Sequence, residues 1–257
     1  MTSPITMAFQ PIVDINDGWR PYAYEALLRG QNGESASEIL ASIPAADMLA
    51  FDATCRRCAI EMAGFLGLKS RLSVNISAEV VSNYRYGLHA TLRDARELGW
   101  PASRIIFEIT EHAPIRKPNL LARWIRAARN RGITVALDDV GIGHANLANL
   151  LLLRPGMIKL ARELIVGIDR DRSRQAIVKG MVEAAEAFRC PTVAEGVETQ
   201  QEFIQLNNLG IRLMQGYYIA RPAIAELVVP QEIHAAVRTR TPPYPGTGRD
   251  RRASLWL

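Results

Sequence analysis

Short β-rich apolar runs recur along this chain with longer segments of helical period between them, and that alternation restricts the fold more than any other feature. The runs are Leu72 to Ile76, Arg104 to Ile109, Ile133 to Leu137, Gly156 to Leu160, Pro191 to Ala194 and Arg212 to Tyr218. Their starts lie about 20 to 35 residues apart, an interval that fits a strand, a covering helix and two loops. Between them, Leu120 to Arg129, Arg174 to Phe188 and Gln200 to Leu209 place apolar residues three and four apart, as a helix with one buried face requires. Upstream, two strand-like runs flank Asn16-Asp17-Gly18, a hairpin signal that predicts an antiparallel first pair. Eight strands with outer helices in roughly 230 residues fit an α/β fold of the (β/α)8 barrel type better than an open sheet. A dinucleotide-binding sheet is disfavoured, because Gly141-Ile142-Gly143 continues to Asn146 where the third glycine would stand.

Composition narrows the class. With 257 residues, 48% apolar and 22% charged, the chain has an ordinary globular balance. No apolar run reaches the ~18 to 20 residues of a membrane-spanning helix. The N-terminal stretch lacks a secretory pattern, and three cysteines suit a reducing compartment, so the expected location is the cytoplasm. The net charge of +5 is concentrated at the end: residues 238–257 carry five arginines and one aspartate among three prolines and two glycines. Residues 1–237 are therefore expected to form one barrel domain and residues 238–257 a disordered Arg/Pro-rich tail. We read the tail as a solvated extension in preference to an arm for nucleic acid or an anionic membrane.

Polar residues interrupt the apolar runs at regular places. Glu25 lies in YAYEALLR, Asn75 in LSVNIS, Glu108 in RIIFEIT, Lys159 in GMIKL and Gln215 in RLMQGYY, while Asp138-Asp139 closes ITVALDD and Glu195 ends TVAEG. Seven of eight expected strands carry such a residue. Parallel barrel strands end at one mouth, so these groups become neighbours there. Five carboxylates in one pocket cannot all stay ionised without cations. An all-oxygen donor set selects hard ions such as Mg²⁺ or Mn²⁺, and two such ions bridged by a carboxylate hydrolyse phosphate esters. Taken singly, each acid is an ordinary strand-end or helix-cap residue; convergence inside buried runs makes them a candidate site. Lys159 either balances charge or positions the attacking water. Arg29 either forks onto a phosphate or pairs an acid.

At these residues the sequence resembles the EAL domain, the bacterial cyclic di-GMP phosphodiesterase module. The resemblance rests on Glu25-Ala26-Leu27 extended to Arg29, Asn75, Glu108-Ile109-Thr110-Glu111, Asp138-Asp139, Glu195-Gly196-Val197-Glu198, Gln215-Gly216-Tyr217 and Arg221-Pro222, in order from about Phe9 to Pro222. It implies a modified TIM barrel with one antiparallel strand, and two Mg²⁺ or Mn²⁺ ions with Ca²⁺ as an inhibitory replacement. The implied reaction is hydrolysis of cyclic di-GMP to linear pGpG by a metal-activated water. By this resemblance Glu25, Asn75, Glu108 and Asp138 hold one ion, and Asp138, Asp139 and Glu195 the second. Lys159 contacts the nucleophilic water, and Glu195 helps deprotonate it. Leu27, Arg29, Gln215 and Pro222 face substrate, while Glu111 and Glu198 support the site. A homodimer and a sensory domain or protein partner are further implications.

The chain departs from the family pattern after Asp139. Val140 stands for the usual Phe, Ile142 for the usual Thr, His144-Ala145 for a Tyr-Ser type pair, and Ala161 for the Asp of K-I-D. A receptor that binds cyclic di-GMP without turnover, or an interaction module, is the alternative expectation. Cys55-Arg-Arg-Cys58 is read as structural, because Met48, Phe51, Cys55, Met62 and Phe65 form an apolar stripe at helical spacing.

Overall fold

A computed structural model describes residues 5–77, 79–80, 86–110, 117–142 and 147–230. The chain opens with β1 (Ile5–Asp14) and β2 (Arg20–Gly30), antiparallel and paired from Ile5 opposite Gly30 to Asp14 opposite Arg20. Their turn needs a left-handed residue, and Gly18 supplies it at φ 64°. Trp19 follows at φ 63° and stacks on Phe203 with ring centroids 4.7 Å apart.

Helices α1 (Ala36–Ala41) and α2 (Met48–Phe65) lead to β3 (Arg71–Ser77). Five strand and helix stretches then alternate: α3 (Leu88–Glu97), β4 (Ile105–Thr110), α4 (Pro118–Arg129), β5 (Thr134–Val140) and α5 (Leu147–Leu153). The chain continues through β6 (Met157–Leu160), α6 (Arg162–Ile165), α7 (Arg172–Ala187), β7 (Thr192–Ala194), α8 (Gln200–Asn208) and β8 (Leu213–Met214). Strands β2 to β8 pair in parallel sequence order, and β1 closes the ring by pairing antiparallel with both β2 and β8. The result is the expected modified barrel with an antiparallel first strand. A short β9 (Ala223–Ile224) adds to β1 beyond the reach of β8.

Two differences from the sequence reading have physical causes. The run Arg212 to Tyr218 is a strand only at Leu213–Met214, because the chain bends at Gly216, where a Cβ would lie 2.2 Å from the backbone of Val197. Phe65, placed on the apolar stripe of α2, is 91% exposed. It is the last residue of the helix, and the chain turns there to bury Leu68 instead. The expected tail, 238–257, lies outside the described residues.

Period two in the strands builds two cores. Leu72, Val74, Ile76, Ile105, Phe107, Ile109, Val135 and Leu137 belong to the main core together with Ile60, Leu121, Ile125, Val178 and Leu206 of the helices. The other strand face forms a closed inner cluster: Ile12, Ala23, Ile106, Ala136, Met157, Val193 and Leu213. This apolar layer plugs the barrel, so groups one step further along the strands look only toward the mouth.

Candidate active site

Six site side chains stand two residues beyond an inner-cluster residue, about 6.6 Å further along the strand. Ala23 leads to Glu25, Ile106 to Glu108, Ala136 to Asp138, Met157 to Lys159, Val193 to Glu195 and Leu213 to Gln215. On the reversed β1 the step runs backward from Ile12 to Gln10, which pairs in register with Glu25. Asn75 on β3 pairs in register with Glu108 on β4.

Lys159, 1% exposed, is the centre of the ring. Its Nζ lies 2.8 Å from Glu108 Oε2, 3.3 Å from Glu25 Oε2 and 3.6 Å from Asp138 Oδ1, and it pairs directly with Glu195. Asn75 donates to Glu25 Oε1 at 3.3 Å, and Gln215 donates to Glu25 Oε2 at 2.6 Å. Gln10 accepts from Gln215 at 3.1 Å and donates to the Ala220 carbonyl at 3.0 Å. Beneath them, the Ser73 hydroxyl donates to Glu108 Oε1 at 2.5 Å.

One ammonium cannot neutralise four carboxylates, and the proton affinities reflect the excess. Burial, reinforced by Glu25 and Asp138 against the pull of Lys159, pushes the Glu108 carboxyl up to about 8. Burial likewise carries Glu195 well above its ordinary value, with Lys159 opposing and Asp138, Glu25 and Glu108 adding to the rise. For Glu25 burial acts upward, but Lys159 and hydrogen bonds from Gln215, Glu108 and Asn75 outweigh it and leave the carboxyl below its usual range. Burial also works against the Lys159 charge, yet Glu108, Glu195, Glu25 and Asp138 together hold that amine well above its ordinary value.

On the rim, one carboxylate oxygen each from Asp138, Asp139 and Glu195 lie within 4.8 Å of one another. Asp139 takes φ 52°, a left-handed turn that brings its N–H onto Asp138 Oδ1 at 3.1 Å. Gln215 Oε1 is buried without a partner. A compact set of hard oxygens with a spare buried acceptor fits a divalent cation of the Mg²⁺, Mn²⁺ or Ca²⁺ type.

The remaining expected residues are more dispersed. Arg29 donates to the Leu28 carbonyl at 2.7 Å, and no ion pair joins it to an acid among the described residues. Leu27 lines a cavity of about 380 Å³ between β2, β3 and the first two helices, and Asn75 reaches the same cavity. Pro222 is half-buried beside β9. Glu198 pairs with Arg162 at 2.7 Å, and its own N–H donates to Glu202 Oε2 at 3.0 Å. Glu202 completes a capping box with Thr199 and so fixes the segment after Glu195. Glu111 and His144 lie outside the described residues. Cys55 and Cys58 are free and half-buried, and burial, followed by Asp52 and Cys58, raises the Cys55 thiol to about 12. A thiol held that high is protonated and inert, in line with a structural role.

Gln10 and Ser73 were not picked out from the sequence. The signal for Gln10 was the same two-residue step, read in reverse on the antiparallel strand. Ser73 belongs to the layer below, where a hydroxyl among apolar residues marks a partner above it.

These features place the chain among closed (β/α)8-type barrels whose mouth carries a carboxylate set of the kind that holds divalent cations. The EAL domain pattern matches residues 3–222, and the chain belongs to that family. A standalone versatile EAL protein from Vibrio cholerae O395, solved with cyclic di-GMP bound, is 34% identical and superposes with a TM-score of 0.82 over 89% of this chain and 96% of that one. BlrP1 from Klebsiella pneumoniae, in a complex with manganese and cyclic di-GMP, is 32% identical with a TM-score of 0.82 over 87% of this chain and 57% of that one. The cyclic di-GMP phosphodiesterase PA2567 of Pseudomonas aeruginosa is 28% identical over 86% of this chain and 38% of its own length. The chain spans about half or less of the length of the curated relatives it matches. No helix among the described residues is long and apolar enough to cross a membrane.

Proposed function

We propose that this domain hydrolyses one phosphodiester of cyclic di-GMP to give linear pGpG, using two divalent cations at the barrel mouth. The observation that carries the reading is the ring of Glu25, Glu108, Asp138 and Glu195 around Lys159, with Asp139 on the same rim. Glu25, Asn75, Glu108 and Asp138 would hold one cation, and Asp138, Asp139 and Glu195 the other. Bound there, Mg²⁺ or Mn²⁺ supplies Lewis acidity to the phosphoryl group and a lowered pKa for water. The V. cholerae relative binds cyclic di-GMP and the K. pneumoniae one cyclic di-GMP with manganese, which supports this choice of ligand and ion.

The chain's own groups do the rest. Glu195 has the raised proton affinity that a proton acceptor for water needs. Lys159 keeps the acid ring together and offers its ammonium to the water's side of the site. Gln215 restrains Glu25 and keeps an acceptor free, and in this reading Arg29, Leu27 and Pro222 would contact substrate. Glu198 and Glu111 serve as supports for the neighbouring loops. Residues 1–237 as the working domain, 238–257 as an appended tail, a homodimer, a sensory partner and a cytoplasmic location complete the proposal.

Incubation with cyclic di-GMP and Mn²⁺, followed by chromatographic separation of the nucleotides, tests it. Conversion to the linear dinucleotide that is lost in Asp138→Asn is the expected result. Saturable binding with no product would assign the chain to the receptor reading, in which Val140 and Ile142 have replaced the family's catalytic loop residues.

A further inference from the structure

Outside the mouth, the most unbalanced feature of the surface is a cleft of about 500 Å³ between α4 and the end of α5. Arg123, Arg126, Arg129 and Arg154 line it with Asn119 and Leu152, and no acid is among its lining residues. Elsewhere Arg57, Arg93, Arg162, Arg170, Arg174 and Arg212 each face a carboxylate, whereas the exposed Arg20, Arg96, Arg131, Arg172 and Arg189 have no ion pair among the described residues. What sets the cleft apart is four arginines lining one concavity without an acid. Arg71, Arg104 and Arg221 lie over aromatic rings. Within the cleft, Arg123, Arg126 and Arg154 have no ion pair among the described residues, and Arg129 spends one donor on the Arg154 carbonyl. That contact explains Arg129 as a clamp on the end of α5. Proximity to the C-terminus of α4 rationalises Arg126 in part. Neither accounts for Arg123, or for four guanidinium groups sharing one concavity without a counter-charge.

We infer that this cleft is a binding site for an oligophosphate, a ligand with two or more linked phosphates. Arg123, Arg126 and Arg129 recur at three-residue spacing and span about 9 Å of helix axis. An anion that answers them must put several charges into that length. Linked phosphates do so, and the planar guanidinium fork matches their oxygens in pairs. A volume of this size is that of a small-molecule pocket, whereas a folded acidic partner needs a broader face. The cleft is built from α4 and α5 on the outside of the barrel, so the inference does not depend on the activity proposed for the mouth.

The test is calorimetric titration of the full chain with inorganic tripolyphosphate and, separately, GTP, in EDTA so that cations at the mouth play no part. Saturable binding that weakens as salt is raised, falls at least tenfold in R123E/R126E, falls less in R123K/R126K and is unchanged in Asp138→Asn supports the site. Tripolyphosphate binding as well as GTP assigns the phosphate chain alone; GTP binding more tightly adds a contact to the base, and both support it. Three results overturn it: no saturable binding at low salt, equal binding by wild type and R123E/R126E, or loss of binding only in R249E/R251E/R252E. A single-stranded RNA oligomer that binds where tripolyphosphate does not would also overturn it.

Discussion

Gln10 and Gln215 meet side chain to side chain at 3.1 Å although 205 residues separate them, and this contact fixes which end of the Gln215 amide faces Glu25. Gln10 donates to the Ala220 carbonyl, so its oxygen is the end left for Gln215. Gln215 must then present its nitrogen to both Gln10 and Glu25, leaving its own oxygen buried and unpartnered. Replacing Gln10 with Leu removes this relay. Unsatisfied buried groups cost about 1 to 3 kcal/mol, so thermal unfolding should fall by several degrees. Steady-state kinetics should also register a drop of about tenfold in kcat, larger than any change in KM.

Lys159→Met should expose the repulsion that the ammonium holds in check. Removing one partner of a buried ion pair costs about 3 to 5 kcal/mol, and here four carboxylates lose the same cation. Unfolding in EDTA should therefore occur at a clearly lower denaturant concentration than for wild type. Added Mn²⁺ should recover more stability in the variant than in wild type; an unchanged midpoint in EDTA would remove Lys159 from its balancing role.

Cation uptake should expel protons. Glu108 holds a proton up to about pH 8, and Glu195 also has a raised affinity for one. Cations compete with those protons, so Mn²⁺ affinity should rise with pH toward 8. Calorimetry in two buffers of different ionisation enthalpy should register net proton release at pH 7. The sign for stability is the reverse. A carboxyl whose folded pKa is raised contributes stability that is complete below its unfolded value and lost as pH climbs through about 8. The cation-free protein should therefore lose stability between pH 5 and pH 8 from this source, a trend that urea titrations at several pH values will register.

The departures after Asp139 differ in what they tolerate. Val140 is 1% exposed, so Val140→Phe overfills a packed position and should cost about 1 to 3 kcal/mol. Ile142 is half-buried, and Ile142→Thr should leave stability nearly unchanged. Thermal melts of the two single variants should separate them. Any gain in turnover from restoring the loop should come from Ile142→Thr, because the other change disturbs the end of β5.

Much of this site was legible because one rule generates it. Strands with period two and an apolar plug force Glu25, Glu108, Asp138, Lys159 and Glu195 to one mouth, and each stood out as a polar residue in an apolar run. Gln10 obeyed the same rule but was hidden, since the reversal of β1 changes the direction of the step. The short extent of β8 was not legible, because Leu213 to Tyr218 has strand-like composition throughout while Gly216 packs against a loop distant in sequence. The basic cleft is not legible from charge along the chain. Arg154 joins the α4 arginines only once α5 is folded beside α4.

The most direct test of the acid ring as a cation-dependent hydrolytic centre is anomalous diffraction at the manganese edge from crystals grown with Mn²⁺ and cyclic di-GMP. The account predicts two peaks that share Asp138, one toward Glu25, Asn75 and Glu108 and the other toward Asp139 and Glu195. No peak at the mouth, with Lys159 still bridging Glu108 and Glu195, would contradict it.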